Sequence, residues 1–208
     1  LISHNHYDHL DAGFVESIPN KKDVDIIAPL GLGAFFRVKK YIRIHELDWH
    51  QSVFVKGLTF TAHPMVHYSS RGLFDKDKTL WCSWSVLASD KKLFFAGDTA
   101  FSPNIFKEIG AQTNGFDYAL LPIGTYGNRK YGFNNHMHPA ESFQTGLDLK
   151  ADTMIAIHWG TIDLSEEPLF EPAELFRKAA IQKKFDPERL WILKIGETRV
   201  LERDRNKR

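Results

Sequence analysis

The stretch Leu1-Ile-Ser-His4-Asn-His6-Tyr-Asp8-His9-Leu-Asp11 opens the chain and places three histidines and an aspartate within six positions, directly after an apolar pair. Side chains alternate between the two faces of an extended segment, so His4 and His6 are expected to point the same way, with Asp8 and His9 following where the segment turns. Imidazole and carboxylate groups suit zinc, and iron or manganese with less selectivity. A solvated turn rich in histidine is the alternative, but candidate ligands farther along the chain favour a metal site.

Length and composition are those of a globular protein with a substantial core. The 208 residues are 43% hydrophobic and 25% charged, and we expect one domain over residues 1–208. The formal net charge is +1 and no basic stripe is interleaved with aromatic residues, so we expect no nucleic-acid partner. The single cysteine, Cys82, excludes an intrachain disulfide and fits a reducing compartment, which favours a cytoplasmic or peripheral-membrane location.

The apolar pattern predicts two kinds of organisation. As far as residue 62 the strand-like runs follow one another closely, with Lys56-Gly57 as a tight hairpin turn, and from residue 92 strands alternate with helices. Two sheets with helices packed outside them satisfy both patterns. Predicted strands cover residues 24–28, 44–49, 51–55, 58–62, 79–88, 92–96, 118–122, 153–157, 190–195 and 198–201, and predicted helices cover residues 10–18, 30–40, 103–109, 139–149 and 172–184.

Three more candidate ligands follow predicted strands, namely His67, Asp98 and His158. Ligands carried by loops at one edge of a sheet are a common way to build a site. With the opening four they make seven, and because a zinc ion with an open position uses three protein ligands, seven fit two ions. Two metals about 3.5–4 Å apart would share a carboxylate and lower the pKa of a bound water toward ~7, which favours metal-assisted hydrolysis. Asp98, alone on a Gly-Asp-Thr turn, suits the shared position.

Each of these three residues also has an ordinary structural interpretation. Asp98 could do no more than close an Asx turn, and His158 could be a hydrogen-bonded core histidine. His63 lies four residues before His67 and competes with it for the same place.

The loop over residues 124–138 is long and irregular, as functional loops often are. His136 and His138 lie at its end, just before a predicted helix N-terminus, which favours an anion. One of these histidines, with Tyr126 or Arg129, could orient an oxyanion or protonate a leaving group.

The string His4-Asn-His-Tyr-Asp-His9 resembles the signature of the metallo-β-lactamase superfamily. Four longer strings narrow the resemblance to the N-acyl phosphatidylethanolamine-hydrolysing phospholipase D branch and its bacterial relatives. These strings are Gly72-Leu-Phe-Asp-Lys-Asp-Lys-Thr-Leu-Trp81, Phe95-Ala-Gly-Asp-Thr99, Leu121-Pro-Ile-Gly-Thr-Tyr126 and Ala156-Ile-His-Trp-Gly-Thr161. The resemblance covers nearly the whole chain, in the family's order and at similar spacing.

The resemblance implies an α/β fold, the αββα sandwich of metallo-β-lactamase type, with a dinuclear site. One zinc would lie on His4, His6 and His67, the other on Asp8, His9 and His158, with Asp98 between them, and His136 would stand beside the scissile phosphate. His67 is preferred to His63 because it directly precedes Tyr-Ser-Ser-Arg-Gly-Leu-Phe-Asp. Since the chain starts at the signature, we expect the N-terminal strands of the first half of the sandwich to be missing from it.

Residues and resemblance together predict a zinc-dependent hydrolase that cleaves a phosphodiester bond, most simply in a phospholipid such as an N-acyl phosphatidylethanolamine. Asp98 and His136 are the predicted catalytic residues, and Tyr126 and Arg129 the predicted substrate-binding residues. A phospholipid substrate implies peripheral contact with a membrane. Alternatives are hydrolysis of a lactone or a soluble phosphodiester, or a non-catalytic or redox metal-binding domain, with iron or manganese not excluded. The oligomeric state is left open.

Overall fold

A computed structural model describes residues 1–132 and 134–201 of the chain. Its helices are α1 (Ala12–Ser17), α2 (Gly33–Arg37), α3 (Pro103–Gln112), α4 (Pro139–Asp148) and α5 (Glu171–Gln182). Its strands are β1 (Asp25–Pro29), β2 (Arg43–Leu47), β3 (Ser52–Val55), β4 (Leu58–His63), β5 (Ser83–Leu87), β6 (Lys92–Phe95), β7 (Phe116–Pro122), β8 (Ala151–Ile157) and β9 (Leu190–Trp191). No helix among the described residues is long and apolar enough to cross a membrane.

The strands form two sheets. Strands β1 and β2 pair in parallel, and the other seven form one sheet in the order β3-β4-β5-β6-β7-β8-β9. Pairing in the large sheet is antiparallel as far as β6 and parallel from there on. The predicted hairpin is present between β3 and β4, because Lys56 and Gly57 take φ values of 50° and 84°, the left-handed pair that a tight hairpin turn requires.

Three apolar clusters join these elements into four layers. Leu10, Val15 and Phe36 are among the residues that bury α1 and α2 against the outer face of the small sheet. Ile27 and Leu47 of the small sheet meet Ala62, Cys82 and Trp84 between the two sheets. The third cluster packs α3, α4 and α5 on the far face of the large sheet, and its fully buried aromatic residues are Phe94, Phe106, Phe143 and Phe176. The result is helices, sheet, sheet, helices, which confirms the predicted αββα sandwich.

Several predicted elements differ from the structure in extent. The predicted strand over residues 79–88 begins only at Ser83, because Leu80 and Cys82 donate their backbone N–H groups to Leu30 and Ser3, across to the other layer. The predicted helix over residues 30–40 shortens to α2, since the carboxylate of Glu46 accepts from the backbone of Gly31 and Gly33 at its start.

The two ends of the described chain also depart from prediction. The predicted strand over residues 198–201 is wrong, and Val200 is 83% exposed with no strand beside it. The opening segment is not a regular strand either. It is held instead by single bonds, from Ile2 N–H to the Ile27 carbonyl and from Cys82 N–H to the Ser3 carbonyl.

The topology brings one end of four strands to the same edge of the large sheet. Strands β6, β7 and β8 are mutually parallel, and β4 runs in the same direction because two antiparallel pairings separate it from β6. The carboxyl ends of these strands therefore lie side by side, and the loops that follow them form one rim of the molecule. This rim carries the candidate site.

Candidate metal centre

The rim gathers candidate ligands from four separate places in the chain. His67 follows β4 by four residues, Asp98 follows β6 by three, and His158 follows β8 directly. The opening segment reaches the same place because Ile2 bonds to β1 and the Trp84 indole N–H donates to the Ile2 carbonyl at 2.8 Å. Residues remote in sequence therefore meet in two groups of converging donor atoms.

The first group consists of His4, His6 and His67. Nε2 of His4 lies 2.9 Å from Nδ1 of His6, and Nε2 of His67 lies 3.2 Å from the same atom. Nδ1 of His67 donates to the carbonyl of Asn135 at 3.1 Å, which leaves its Nε2 with a lone pair that faces the group. Three imidazole nitrogens thus converge on one point.

The second group consists of Asp8, His9, Asp98 and His158. Oδ2 of Asp8 lies 3.4 Å from Nε2 of both His9 and His158. Oδ2 of Asp98 lies 3.0 Å from Nε2 of His9 and 3.3 Å from Nε2 of His158. In each group the donor atoms all lie within 4.8 Å of one another.

Asp98 connects the two groups. Its Oδ2 is 4.0 Å from Nε2 of both His4 and His67, as well as close to the histidines of its own group. The residue is only 2% exposed, and its other oxygen, Oδ1, has no hydrogen-bond partner among the described residues. A buried carboxylate with one oxygen between two sets of imidazoles is suited to a shared metal ligand.

These distances fit metal ions. Zn–N bonds of about 2.0–2.1 Å in tetrahedral geometry separate ligand atoms by roughly 3.3 Å. The contacts within the two groups, from 2.9 to 3.4 Å, are close to that separation. The donor set of imidazole and carboxylate is also the one that zinc, iron and manganese accept. The residues present can therefore hold metal.

Burial and charge set the protonation states in the centre. Burial lowers the pKa of His4 to about 2 and that of His67 to about 3, so both rings are neutral and able to donate to a metal. Burial alone would lower the pKa of His9, but the carboxylates of Asp8 and Asp98 raise it to about 10. Burial would raise the pKa of Asp98, yet the neighbouring His158 and His9 hold it well below its usual range.

Backbone conformation at the end of β8 aims His158 into the centre. His158 has a φ of 56°, a left-handed conformation that costs free energy in any residue except glycine. Gly124 on the neighbouring loop lets the two backbones approach, since a Cβ there would lie 2.3 Å from the His158 carbonyl oxygen. Backbone strain of this kind is often kept where a side chain must be aimed.

Arg71 holds the opening segment in place. Its Nη1 donates to the carbonyl of Leu10 at 2.6 Å and to that of Asn5 at 2.8 Å, and so bridges both ends of the turn that carries the ligands. The guanidinium also lies 4.1 Å from the centre of the Tyr7 ring, and the Tyr7 hydroxyl donates to the Arg71 carbonyl at 2.8 Å. One side chain therefore fastens a segment from which four ligand candidates arise.

His136 lies between the two groups without belonging to either. Its Nδ1 is 3.9 Å from Oδ2 of Asp98, too far for a hydrogen bond, and has no partner among the described residues. Its ring stacks on that of His158 with centroids 5.5 Å apart and an angle of 14° between planes. Burial lowers the pKa of His136, so the ring is neutral. The ring therefore lies beside both groups, and its predicted catalytic role stays a prediction.

Tyr126 and Arg129 are engaged with protein groups. The Tyr126 hydroxyl donates to Glu171 at 2.6 Å. Arg129 donates from Nη2 to the His136 carbonyl at 2.8 Å and to Glu141 at 2.5 Å. These contacts position the loop that carries His136, and the predicted contact of either residue with substrate stays a prediction.

The sequence left two choices open, between His63 and His67 as a metal ligand and between His136 and His138 as a group facing the site, and the structure gives each pair different surroundings. His67 joins the first group, whereas His63 faces the interior, where its Nε2 lies 2.9 Å from the Ser85 hydroxyl and its ring packs near Phe94. His138 caps α4, accepting from the backbone of Ala140 while Glu141 accepts in return from the His138 N–H. The motif His-Pro-Ala-Glu, with glutamate three residues after the cap, was a usable signal for that cap.

Comparison with known proteins decides the family. The chain matches the family described as Beta-lactamase superfamily domain over residues 1–159. The chain belongs to the metallo-β-lactamase superfamily. An uncharacterized protein of Mycobacterium tuberculosis is 38% identical over 185 residues, covering 86% of this chain and 49% of that protein. N-acyl-phosphatidylethanolamine-hydrolyzing phospholipase D 1 of Caenorhabditis elegans is 34% identical over 195 residues, covering 86% of this chain and 53% of that enzyme.

Solved structures show the same superfamily fold. A metallo hydrolase from the archaeon Ignicoccus hospitalis superposes with a TM-score of 0.73 at 18% identity, over 97% of this chain and 78% of that one. At that identity the likeness concerns the fold. The chain spans about half the length of the first curated relatives it matches, 49% for the mycobacterial protein and 53% for the nematode enzyme.

A cleft opens from the rim beside the second ligand group. Its volume is about 230 Å³, and three of its lining residues are ligand candidates, Asp8, His9 and His158. The remaining lining residues combine hydroxyl groups with apolar surface; they are Thr125, Trp159, Thr161, Ile162 and Leu164. A cleft with a polar end and an apolar wall suits a substrate that has both characters.

Proposed function

We propose that this chain is the catalytic part of a dinuclear metal-dependent hydrolase of the metallo-β-lactamase superfamily that cleaves a phosphodiester bond in a phospholipid. Two zinc ions are the proposed metals, and an N-acyl phosphatidylethanolamine is the proposed substrate, as in the nematode relative's name. The observation that carries the proposal is the pair of donor groups joined at Asp98. Two ions around one carboxylate are the arrangement used in many phosphoester-cleaving sites.

Each ligand set has a defined part in the proposal. His4, His6 and His67 would hold one ion, and Asp8, His9 and His158 the other, with Asp98 shared between them. The ions, when bound, would supply Lewis acidity and an activated water. Asp98 is buried, and its lowered pKa keeps it deprotonated, so its negative charge would offset part of the positive charge of both ions.

His136 is the proposed polar contact to the scissile group. Its ring is neutral, half-buried and stacked on that of His158, while Arg129 donates to its backbone carbonyl. A neutral imidazole carries one N–H, which can hydrogen bond to a phosphoryl oxygen or to the departing alkoxide as charge develops on it. The apolar wall at Ile162 and Leu164 would contact the acyl part of the substrate.

The proposal is tested by metal analysis and a substrate panel. The chain is reconstituted with zinc, its metal content measured by elemental analysis, and its rate compared on phospholipid vesicles, on a soluble aryl phosphodiester and on a lactone. We expect two zinc ions per chain and cleavage of both phosphodiesters. Turnover of the lactone alone would refute the phosphodiester assignment, and iron without zinc in the protein as isolated would favour a redox function.

A single variant tests the role of His136. His136→Ala should keep both metals and lose about 10²–10⁴-fold in rate, the usual size of one positioned proton donor. His50→Asn is the matched control, because His50 is exposed in a turn with a φ of 68°, which asparagine tolerates. An undiminished rate in His136→Ala would remove the residue from the mechanism.

A further inference from the structure

Two adjacent apolar side chains on the loop that follows Arg71 are almost fully in solvent. Leu73 is 93% exposed and Phe74 is 85% exposed, the two highest values among the large hydrophobic side chains of residues 1–132 and 134–201. Single exposed apolar residues are ordinary on protein surfaces. An adjacent leucine and phenylalanine, projected together beside a functional site, indicate a surface that is covered during function.

The loop that carries this pair is held in shape by its own hydrogen bonds. Oδ1 of Asp75 accepts from the backbone N–H of Gly72 at 2.8 Å and of Arg71 at 3.0 Å, and from the Ser70 hydroxyl at 3.2 Å. Lys78 N–H closes the loop by donating to the Asp75 carbonyl at 3.1 Å. The loop therefore presents Leu73 and Phe74 outward in a fixed conformation.

The same loop is connected to the metal-binding segment. Arg71 donates to the carbonyls of Asn5 and Leu10, and the Tyr7 hydroxyl donates to the carbonyl of Arg71. Three residues before Arg71, the centre of the Tyr68 ring lies 4.6 Å from that of the His6 ring. Whatever receives Leu73 and Phe74 is therefore brought to the edge of the metal centre.

Charged and aromatic residues around the tip fit the boundary between water and lipid. Lys76 and Lys78 are exposed on one side and outnumber the exposed Asp77 between them, whereas the carboxylate of Asp75 is already engaged by backbone N–H groups. The ring of Tyr7 is 67% exposed on the other side. Lysine stems and tyrosine rings place apolar carbon in the lipid and their polar ends in water, and lysines near the surface favour anionic headgroups.

We infer that residues 70–78, the docking loop, insert Leu73 and Phe74 into a lipid surface that carries anionic headgroups. The inference rests on the proposed phospholipid substrate, and it names the surface by which the chain would reach that substrate. A second protein copy is a poorer occupant, because stable protein interfaces bury about 800 Å² on each partner. Two side chains at a convex tip offer at most about 400 Å².

Vesicle sedimentation tests the inference. The zinc-loaded chain is mixed with phosphatidylcholine vesicles, with or without phosphatidylglycerol, and the bound fraction is measured after centrifugation. We expect binding that is stronger on the anionic vesicles. In the double variant Leu73→Ser, Phe74→Ser the partition coefficient should fall at least about tenfold, because the buried apolar surface supplies the insertion free energy.

The matched control is Phe54→Ser, since Phe54 is 72% exposed on β3 at the edge of the large sheet. It should bind vesicles as the unmodified chain does. Equal binding by the double variant, or no binding of the unmodified chain to anionic vesicles, overturns the inference. Light scattering tests the alternative that a second copy of the chain is the occupant. If the unmodified chain is a dimer, the double variant is a monomer and neither binds vesicles, Leu73 and Phe74 belong to an interface between two copies.

A fluorescence measurement supplements the vesicle-binding assay. In the variant Phe74→Cys the new thiol can be labelled selectively with an environment-sensitive dye, because the native Cys82 is fully buried. We expect a blue shift of the dye emission on anionic vesicles, and an unchanged spectrum would contradict insertion.

Activity on a soluble aryl phosphodiester keeps this inference separate from the proposed function. The double variant should retain that activity and lose it on vesicles. If the unmodified chain binds anionic vesicles but cleaves neither phosphodiester, the proposed function fails and the docking loop stands. If it cleaves both and the double variant is equal to it on vesicles, the docking loop fails alone.

Discussion

Replacement of Arg71 by methionine should weaken both the fold and the metal centre. The Arg71 guanidinium makes hydrogen bonds of 2.6 and 2.8 Å to carbonyls of two buried residues, Leu10 and Asn5, which are 1% and 3% exposed. Hydrogen bonds from a charged donor contribute about 1.5–3 kcal/mol each, so two give at most ~6 kcal/mol. Part of the guanidinium is solvated and the terms are not additive, so we expect a loss of about 3 kcal/mol in the free energy of unfolding.

The expected thermal effect follows from the size of the chain. For a protein of 150–250 residues each kcal/mol shifts Tm by roughly 2–4 °C, so Arg71→Met should lower Tm by about 6–12 °C. Metal affinity should fall by about 10–100-fold, the usual result when a group that orients a ligand is removed. Methionine retains an unbranched apolar side chain but removes the guanidinium that lies over the rings of Tyr7 and Phe35, so the charge, these ring contacts and the hydrogen bonds are lost together.

Three measurements separate these effects. Urea unfolding in the presence of a chelator reports the fold without metal, competition with a chromophoric chelator reports zinc affinity, and the visible spectrum of the cobalt-substituted chain reports ligand geometry. Arg71→Lys should recover part of the stability and part of the zinc affinity, since an ammonium group can donate to one of the two carbonyls but lacks the planar geometry of the guanidinium.

Arg43→Met is the control, because that guanidinium side chain is 48% exposed and its ion pairs are 3.8 and 3.9 Å long. Its expected cost is under about 1 kcal/mol. If Arg71→Met unfolds like Arg43→Met and binds zinc like the unmodified chain, the reasoning about the opening segment is wrong.

Three further outcomes are expected. Gly124→Ala should lower zinc content, since its Cβ would lie 2.3 Å from the His158 carbonyl oxygen; a full complement of metal would contradict this. Zinc binding at pH 7 should release a proton from His9, whose pKa near 10 keeps it charged in the metal-free chain, so calorimetric enthalpies should depend on the buffer. His63→Gln should make stability less sensitive to acid: burial lowers the pKa of His63 from 6.5 to about 4, so only the unfolded chain gains its proton as pH falls between these values, a loss of about 3 kcal/mol in the unmodified chain. The free energy of unfolding is measured with urea at pH 7 and pH 4.5, and an equal change between the two pH values in both proteins would refute the prediction.

Much of the fold was predictable because it depends on local pattern. The left-handed pair at Lys56 and Gly57 is a property of adjacent residues, and the hairpin followed directly. The parallel strands β7 and β8 were also predictable as apolar runs, and the structure buries one face of each against the helices, with Leu121 and Met154 fully covered, while Leu120 and Ile155 on the other face are half-buried. The strand predicted from residue 79 failed at its start, since Leu80 and Cys82 bond to a layer that is remote in sequence.

The candidate ligands were also predictable, but for a different reason. His4, His6, Asp8 and His9 lie within six positions, so one turn of backbone is enough to bring them together. His67, Asp98 and His158 each follow a strand, and the resemblance to a known family assigned them to two sets. The structure places all seven in those two groups of donor atoms, including His67 rather than His63.

The sequence by itself determined which residues are available for metal and where strands and helices alternate, because both depend on spacing over a few positions. Only the tertiary structure decided which side chains support the site. Arg71 reaches the opening segment across more than 60 residues of chain, and Arg129 donates to the His136 carbonyl. Such contacts depend on how two distant loops approach each other in space, which the spacing of residues along the chain does not encode.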